Sequence, residues 1–213
     1  MLGRRRRGPV DEIVAPEVPA VLDEDAVLAA VEAVIRADGL LAVTPQRLAA
    51  DLGTTPDRLD LDRSVGETYR RVTVTELADV RRSVLANPSP VEQLRALLAW
   101  LATPPEDSDA VRLEAWVLSR RNPTLRSAVQ DSEAAWHAFV ASVVRRGARN
   151  GDFLQADADE VAAQVISLID GINAYQLIGY RSDLDRMRLL TRLLQAELGL
   201  IWGPELADAL TAE

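Results

Sequence analysis

The stretch TPQRLAADLGTTPDRL, residues 44–59, determines the predicted architecture of the N-terminal part of the chain. It contains two Thr-Pro pairs, at 44–45 and 55–56, separated by a glycine. In each pair the threonine can cap a helix while the proline takes the first helical position, where its missing N–H costs nothing. The pattern predicts two short helices, Pro45 to Leu52 and Pro56 to Leu61, joined by a tight turn as in a helix-turn-helix.

Hydrophobic periodicity and capping residues predict further helices on both sides of this stretch. They cover residues 26–37, 67–85, 90–103, 108–121, 123–149, 158–180 and 184–202. With the two short helices this makes about nine, and no segment has the alternation of a strand. The expected fold class is all-α, with an N-terminal three-helix unit followed by a larger helical bundle.

Composition limits the possible functions. The 213 residues include 48% hydrophobic residues, no cysteine, one histidine and a net charge of -9. Without cysteine there is no disulfide framework and no thiolate metal site. The sequence also lacks a Gly-rich phosphate loop, a His-Glu metal spacing and a nucleophile elbow, so we expect no enzyme, no catalytic residue, no metal and no cofactor.

The same composition suggests where the protein works. All 24 basic residues are arginine, a bias expected from a bacterium with a GC-rich genome. The first residues are basic but precede no apolar stretch, so they do not resemble a signal peptide. No apolar run reaches 18 residues, which argues against a membrane span. We therefore expect a cytoplasmic protein that makes no membrane contact.

The last two predicted helices have apolar faces wider than one core contact requires. Their candidate contact residues for a second copy are Ile169, Ile172, Leu177, Leu190 and Leu194. Two such helices from each of two chains would form a two-fold four-helix bundle, which predicts a homodimer. The alternative is a helix pair buried inside one chain.

Two groups of motifs resemble the TetR family of transcriptional regulators. In the C-terminal half they are LEAW at 113–116, RNPTLR at 121–126, Trp136, RGARNGDF at 146–153 and IDG at 169–171. In the N-terminal part, residues at the family's helix-turn-helix positions align without gaps: Thr44, Leu48, Ala49, Gly53, Thr55 and Leu59. The resemblance implies a dimeric repressor that binds operator DNA through a helix-turn-helix and is released by a small apolar or amphipathic effector.

The resemblance also implies a division into parts with different roles. Residues 1–21 would be a flexible basic arm, 22–66 the DNA-binding domain, and 67–213 a linker helix with the ligand-binding and dimerisation domain. The implied contacts to double-stranded DNA are Arg4, Arg5, Arg6, Arg7, Thr44, Gln46, Arg47, Thr55, Arg58 and Arg63. The four arginines of the arm could enter a minor groove, where the potential favours Arg, or could be a solvated tail or an expression scar.

The DNA-reading positions depart from the family pattern. Four positions carry other residues than the family's usual ones. This sequence has Asp60 where the family usually has an aromatic residue and Asp62 where it has a histidine. It has Arg63 in place of a buried phenylalanine and Gly66 in place of a phosphate-facing lysine. Asp57, Asp60 and Asp62 make the predicted recognition helix acidic. Carboxylates are repelled by the phosphates of DNA. The alternative function is therefore a family member that has lost DNA binding and serves as a dimeric ligand-binding or partner-binding module.

A ligand cavity is expected in the C-terminal domain. The bulky candidates for its walls are Trp100, Trp116, Trp136 and Phe139, with Tyr175 as a further aromatic residue. Asn173 and Gln176, with His137, are the polar candidates. For each residue taken singly, ordinary core packing is the alternative explanation.

Overall fold

The computed structural model describes residues 22–102, 108–181 and 185–200, and within these ranges it is all-helical, as predicted. The helices are α1 (Glu24–Asp38), α2 (Pro45–Asp51), α3 (Leu61–Leu85), α4 (Pro90–Ala102), α5 (Ser108–Ser119), α6 (Pro123–Asn150), α7 (Ala158–Leu177) and α8 (Arg186–Leu198). Two 3-10 turns, Leu40–Ala42 and Pro56–Arg58, precede and follow α2. None of the described helices is long and apolar enough to span a membrane.

The predicted helix starts are confirmed by their caps. Thr44 accepts a hydrogen bond from the backbone of α2, and Asn122 accepts one from the backbone of α6. Asp157 accepts two from the first turn of α7. Ser89 and Glu92 form the reciprocal capping box of α4, since each side chain accepts from the other residue's backbone N–H. Local capping chemistry therefore sets these four boundaries.

The predicted helix from Pro56 to Leu61 is wrong. Only one 3-10 turn, Pro56–Arg58, forms there, and Leu59 and Asp60 have non-helical backbone angles. Asp60 instead caps α3, because its carboxylate accepts from the N–H of Arg63 at 3.2 Å. An N-cap residue lies outside the helical conformation. The helix that was predicted to begin at residue 67 therefore begins six residues earlier, at Leu61. The predicted acidic recognition helix does not form in the described residues.

The later boundaries differ slightly from the prediction. Helix α7 ends at Leu177 instead of Tyr180, and left-handed backbone angles follow at Gly179 and Arg181. The predicted ends of the last helix, Leu184 and Trp202, lie outside the described residues, as does the arm at 1–21. The described ranges thus contain eight α-helices, where about nine helices were predicted.

Two groups of buried apolar side chains hold the helices together. The larger core joins α3, α4, α6, α7 and α8. The second core joins Val31 of α1 and Leu48 of α2 to Ala115 of α5 and Leu125 of α6. Helices α1 and α2 therefore share a core with α5 and α6, and the predicted domain boundary at residue 66 stays a prediction.

Gly66 shows how closely the two halves approach. A Cβ atom at this position would lie 2.6 Å from Cγ2 of Thr124, 2.7 Å from the Thr124 carbonyl carbon and 2.8 Å from the Leu125 nitrogen. Two of these are backbone atoms, which cannot move independently of α6. The interpretation of residue 66 as a missing phosphate-facing position is therefore corrected: the residue is buried where α3 crosses the start of α6.

Candidate functional site

A cavity of about 580 Å³ lies between α1, α3, α4, α5, α6 and α7. Helix α3 forms one wall from Tyr69 to Asp79, which are ten residue steps apart. At 1.5 Å per residue, this wall is about 15 Å long. The volume is within the range of small-molecule sites, which run from about 300 to 1,000 Å³. The cavity is therefore elongated and large enough for an organic ligand.

Two stacked tryptophans form one aromatic wall of the cavity. The rings of Trp100 on α4 and Trp136 on α6 stack with centroids 4.8 Å apart and an interplanar angle of 20°. Phe139 packs against Trp136 at a centroid distance of 6.4 Å. The guanidinium of Arg81 lies 5.5 Å from the centre of the Phe139 ring. The aromatic wall is thus supported by a further ring and a cation–π contact.

Acidic side chains lie beside this aromatic wall. Burial raises the pKa of Glu76 above its ordinary value; Arg112 partly offsets the rise by attraction, while Asp109 adds to it by repulsion. Burial also raises the pKa of Asp109, against the attraction of Arg186 and Arg112. Both carboxylates line the cavity. A bound cation would replace part of the solvation that these groups lose.

A polar network extends from Asp109 into the surrounding helices. The side chain of Asn173 donates a hydrogen bond to the carboxylate of Asp109 at 2.5 Å. The guanidinium of Arg186 donates hydrogen bonds to the side chain of Gln176 at 2.7 Å and to the backbone carbonyl of Leu101 at 3.2 Å. Arg186 also approaches the carboxylate of Asp109, at 3.5 Å. The network fixes the start of α5 between α4, α7 and α8.

A second set of charges surrounds Arg112. Its guanidinium forms an ion pair with Asp170 and lies 3.9 Å from Glu133. The inner end of the cavity and its surroundings thus contain four carboxylates, those of Glu76, Asp109, Glu133 and Asp170, and two guanidiniums, those of Arg112 and Arg186. This end is acidic.

The other end of the cavity, where α1 meets α3, contains two guanidiniums. Arg36 and Arg71 both pair with Glu32, at 2.8 Å and 3.1 Å. The hydrogen bond from Arg36 is the main cause that lowers the pKa of Glu32, and Arg71 acts in the same direction. Two guanidiniums therefore share one carboxylate at this end.

The predicted ligand residues are divided between the cavity and its surroundings. Trp100 and Trp136 line it, and Phe139 lies behind Trp136. Asn173 and Gln176 belong to the network around Asp109 and Arg186. Trp116 lies outside the cavity, in a separate hollow of about 470 Å³, and donates to Glu133 at 3.2 Å. The ligand-binding role of these residues remains a prediction.

Sequence reasoning missed Tyr69, Glu76, Asp109 and Arg112, which all line the cavity. For Glu76 a signal was present. Residues 69, 73, 76 and 80 follow helical spacing on one face of α3, and Tyr69 and Val80 at the ends of this stripe are buried. A glutamate between them indicates a polar site within the buried face. Asp109 and Arg112 carry no comparable signal.

The structure places the predicted DNA contacts in the N-terminal helices and turns. Thr44, Gln46, Thr55, Arg58 and Arg63 are exposed, whereas Arg47 is half-buried. Arg47 pairs with Asp38 at 2.6 Å, and Arg63 pairs with Glu24 at 2.6 Å and Glu67 at 2.9 Å. Such exposed pairs are worth about 0–1 kcal/mol each, so a phosphate could replace the carboxylate.

The electrostatic balance of this region is unfavourable for DNA. Between residues 22 and 66, acidic residues outnumber arginines nine to four. Asp57 lies on the 3-10 turn Pro56–Arg58, and Asp62 lies in the first turn of α3. The predicted arginine arm lies outside the described residues. The part of the N-terminal region that the structure describes therefore offers an acidic surface without a second short α-helix.

The predicted dimer residues are mostly buried within the chain. Ile169, Ile172, Leu190 and Leu194 are at most 3% exposed, so they offer no surface to a second copy. Leu177 differs, since 54% of it is exposed. The width of the apolar faces on α7 and α8 is thus explained in large part by the chain's own core.

Comparison with known families identifies the fold. Residues 90–199, more than half of the chain, match the model of the C-terminal domain of BetI-type transcriptional repressors. The chain belongs to the TetR family. It is a transcriptional regulator with a BetI-type C-terminal domain, in a family that is not enzymatic. A search of curated proteins found no match to the sequence.

Solved structures of transcriptional regulators have the same fold. A protein from Saccharomonospora viridis, described as a transcriptional regulator and solved in complex with choline, is 25% identical. Its match has a TM-score of 0.69 and covers 82% of this chain and 96% of that one. A TetR regulator from Haloarcula marismortui is 19% identical with a TM-score of 0.66, covering 82% and 97% of the two chains.

A more distant match illustrates the range of ligands on this fold. FadR from Bacillus subtilis, solved in complex with stearoyl-CoA, is 12% identical with a TM-score of 0.59. The match covers 81% of this chain and 96% of that chain. At this identity the likeness concerns the fold alone.

Proposed function

We propose that this TetR-family regulator is a dimeric repressor whose effector is a small amphipathic organic cation bound in the cavity between α1 and α7. The observation that carries the proposal is the combination of stacked Trp100 and Trp136 with the carboxylates of Glu76 and Asp109. An aromatic face and a carboxylate both attract a cation, and quaternary ammonium groups are bound in this way.

The relative from Saccharomonospora viridis supports this ligand class, since it was solved with choline. Choline has a cationic head that cannot be deprotonated and a hydroxyl that can form hydrogen bonds. It is therefore a suitable first probe for the cavity, whatever the natural effector is.

The proposed mechanism is a shift between two conformations of the dimer. One conformation places the two N-terminal units so that they fit two operator half-sites, and the effector binds the other conformation more tightly. Near-complete release requires a difference in effector affinity equivalent to roughly 5 kcal/mol. The shared core of α1, α2, α5 and α6 supports a coupling between the cavity and the N-terminal helices.

Dimerisation belongs to the proposal, and the exposed end of α7 supports it. Leu177 is 54% exposed, and the neighbouring Ile178 is 74% exposed. Light scattering should give twice the chain mass for the wild type and a shift towards monomer for Ile178→Asp. Val117→Asp, on the exposed face of α5, is the matched control and should leave the dimer intact.

A gel shift with DNA from upstream of the regulator's own gene tests the repressor function. We expect a shift that choline reverses, and a weaker shift for a truncation lacking residues 1–8. A weaker shift would assign part of the affinity to Arg4–Arg7, because lost phosphate contacts reduce binding and its salt dependence. Absence of any shift at low salt with any native promoter fragment would contradict DNA binding.

A second candidate function is a dimeric ligand-binding or partner-binding module that has lost DNA binding. The observation that favours it is the replacement of the predicted recognition helix by the turn Pro56–Arg58, together with the excess of acidic residues from 22 to 66. Ligand binding without any DNA shift supports this function, and sequence-specific DNA binding of high affinity excludes it.

A further inference from the structure

The cavity extends beyond the aromatic and acidic end that a simple organic cation would occupy. It continues along α3 to Arg71, where Glu32 and Arg36 of α1 also line it. Arg71 and Glu76 are five residues apart on the same helix, which separates their backbones by about 7 to 8 Å along its axis. The two ends of the cavity thus differ in their charged groups as well as in position: arginines lie at one end, and Glu76 and Asp109 at the other.

The outer end contains two guanidiniums and one carboxylate in close contact. Arg36 and Arg71 both pair with Glu32, so one carboxylate serves two guanidiniums. Asp25 approaches Arg71 only at 4.0 Å, and its side chain is 91% exposed, so water and salt screen the attraction. A ligand anion at this end would form charge-assisted hydrogen bonds with guanidiniums that Glu32 satisfies only in part.

The inner end has the complementary arrangement. Glu76 and Asp109 line the cavity near the stacked tryptophans, and Arg112, which also lines it, pairs with Asp170 outside the lining. A cationic group there would be attracted by two carboxylates and by the aromatic faces. A ligand with charge of only one sign would use only one of these ends.

We infer that the cavity takes a zwitterion, with its ammonium group at Glu76, Asp109 and the tryptophan pair and its carboxylate or phosphate group at Arg71 and Arg36. This inference rests on the proposed function, because it specifies the ligand of the same cavity. Arg71 and Arg36 are then the residues that distinguish a zwitterion from a simple cation. Glu32 competes with the ligand's anionic group for both guanidiniums.

Calorimetric titration of the full chain with three probes tests the inference. Choline has only the cation, γ-butyrobetaine adds a carboxylate, and phosphocholine adds a phosphate. We expect at least one zwitterion to bind about tenfold more tightly than choline, which corresponds to about 1.4 kcal/mol. The tighter of the two identifies the anionic group.

Variants locate the anionic end of the ligand. Arg71→Gln should remove most of the tenfold preference and leave choline affinity within about twofold of the wild type. Glu32→Gln should act in the opposite direction and strengthen zwitterion binding, because it releases both guanidiniums. Arg145→Gln is the matched control: it removes an exposed arginine that pairs with Asp159 away from the cavity, and it should change none of the affinities.

The outcomes separate this inference from the proposed function. Choline binding as tight as that of both zwitterions overturns the inference and leaves the cation site in place. Equal weakening of choline and zwitterions by Arg71→Gln also overturns it. Absence of binding by all three probes at about 10 mM contradicts the proposed effector site and this inference together.

Discussion

The rings of Trp100 and Trp136 stack at 4.8 Å within the wall of the cavity. They come from α4 and α6, which are brought together by the larger of the two cores. Trp100 is half-buried, whereas Trp136 is 5% exposed, so Trp100 is the ring that can be changed with less damage to packing. The pair therefore allows ligand contact and core stability to be tested separately.

Trp100→Phe should weaken choline binding by roughly threefold to tenfold, because phenylalanine offers a weaker cation–π contact than tryptophan. The matched control is Tyr175→Phe, a conservative change of an exposed aromatic residue that does not line the cavity. Calorimetry should show an unchanged choline affinity for this control. Equal effects of the two substitutions would contradict the assignment of the aromatic wall.

Trp136→Ala should destabilise the fold by about 3–5 kcal/mol, because the buried ring contacts both Trp100 and Phe139. Urea unfolding followed by circular dichroism measures this loss. A loss below about 1 kcal/mol would contradict the burial of this ring.

Gly66→Ala should be destabilising by about 1–3 kcal/mol, since the new methyl group meets the backbone of Thr124 and Leu125 at 2.7 and 2.8 Å. Helix propensity alone predicts the opposite sign, a gain of about 1 kcal/mol. Adding Thr124→Ser, which removes the Cγ2 contact, should not restore stability, because the backbone contacts remain. Thermal unfolding that shows stabilisation by Gly66→Ala would contradict the close crossing of α3 and α6.

Glu114→Ala should destabilise the protein by about 2–3 kcal/mol. Its carboxylate accepts hydrogen bonds from the backbone N–H groups of Leu40 and Leu41, at 2.6 and 3.2 Å, and joins α5 to the turn before α2. Glu114→Gln retains a hydrogen-bond acceptor and should lower the free energy of unfolding by about half as much as Glu114→Ala. Hydrogen exchange at the two amides should accelerate in the alanine variant, and unchanged exchange would show that this link is absent in solution.

Glu76→Gln should stabilise the fold at neutral pH, because burial raises the pKa of Glu76 above 4.5. A carboxyl whose folded-state pKa is raised loses stability as pH increases from the unfolded value through the folded value. The increase in melting temperature of the variant over the wild type should therefore be largest at neutral pH and should vanish below pH 4.5. Each kcal/mol of added stability should raise the melting temperature by about 2–4 °C.

The exposed substitution Glu160→Gln controls for the removal of one negative charge. Differential scanning calorimetry from acidic to neutral pH compares both variants with the wild type. A constant difference between Glu76→Gln and the wild type at every pH would contradict the burial of this carboxylate.

Much of the fold could be predicted because helix boundaries are set by local chemistry. The caps Thr44, Ser89, Asn122 and Asp157 lie at starts that the sequence predicted. The prediction was wrong at residues 56–61, where Thr55-Pro56 resembled another helix start. The competing cap was Asp60, which caps α3, whereas the resemblance to the family's helix-turn-helix had assigned this residue to the DNA-reading surface.

The site was less predictable than the fold. Trp100 and Trp136 were identifiable as bulky residues on helices, but ordinary core packing explains such residues equally well. Asp109 and Arg112 lie on α5, and the packing of α5 against other helices places them in the cavity wall, where they pair with Arg186 of α8 and Asp170 of α7. Contacts between distant segments depend on tertiary packing, which hydrophobic periodicity along one helix does not specify. For dimerisation, the same periodicity marked residues that the chain buries in its own core.

A crystal structure of the full chain with choline at saturating concentration would show whether the cavity between α1 and α7 binds the effector. We expect density for the ligand inside the cavity, with its ammonium group within about 6 Å of the Trp100 or Trp136 ring and beside Glu76. Density at another place, or an empty cavity in crystals of a choline-binding sample, would contradict the assignment of this cavity as the effector site.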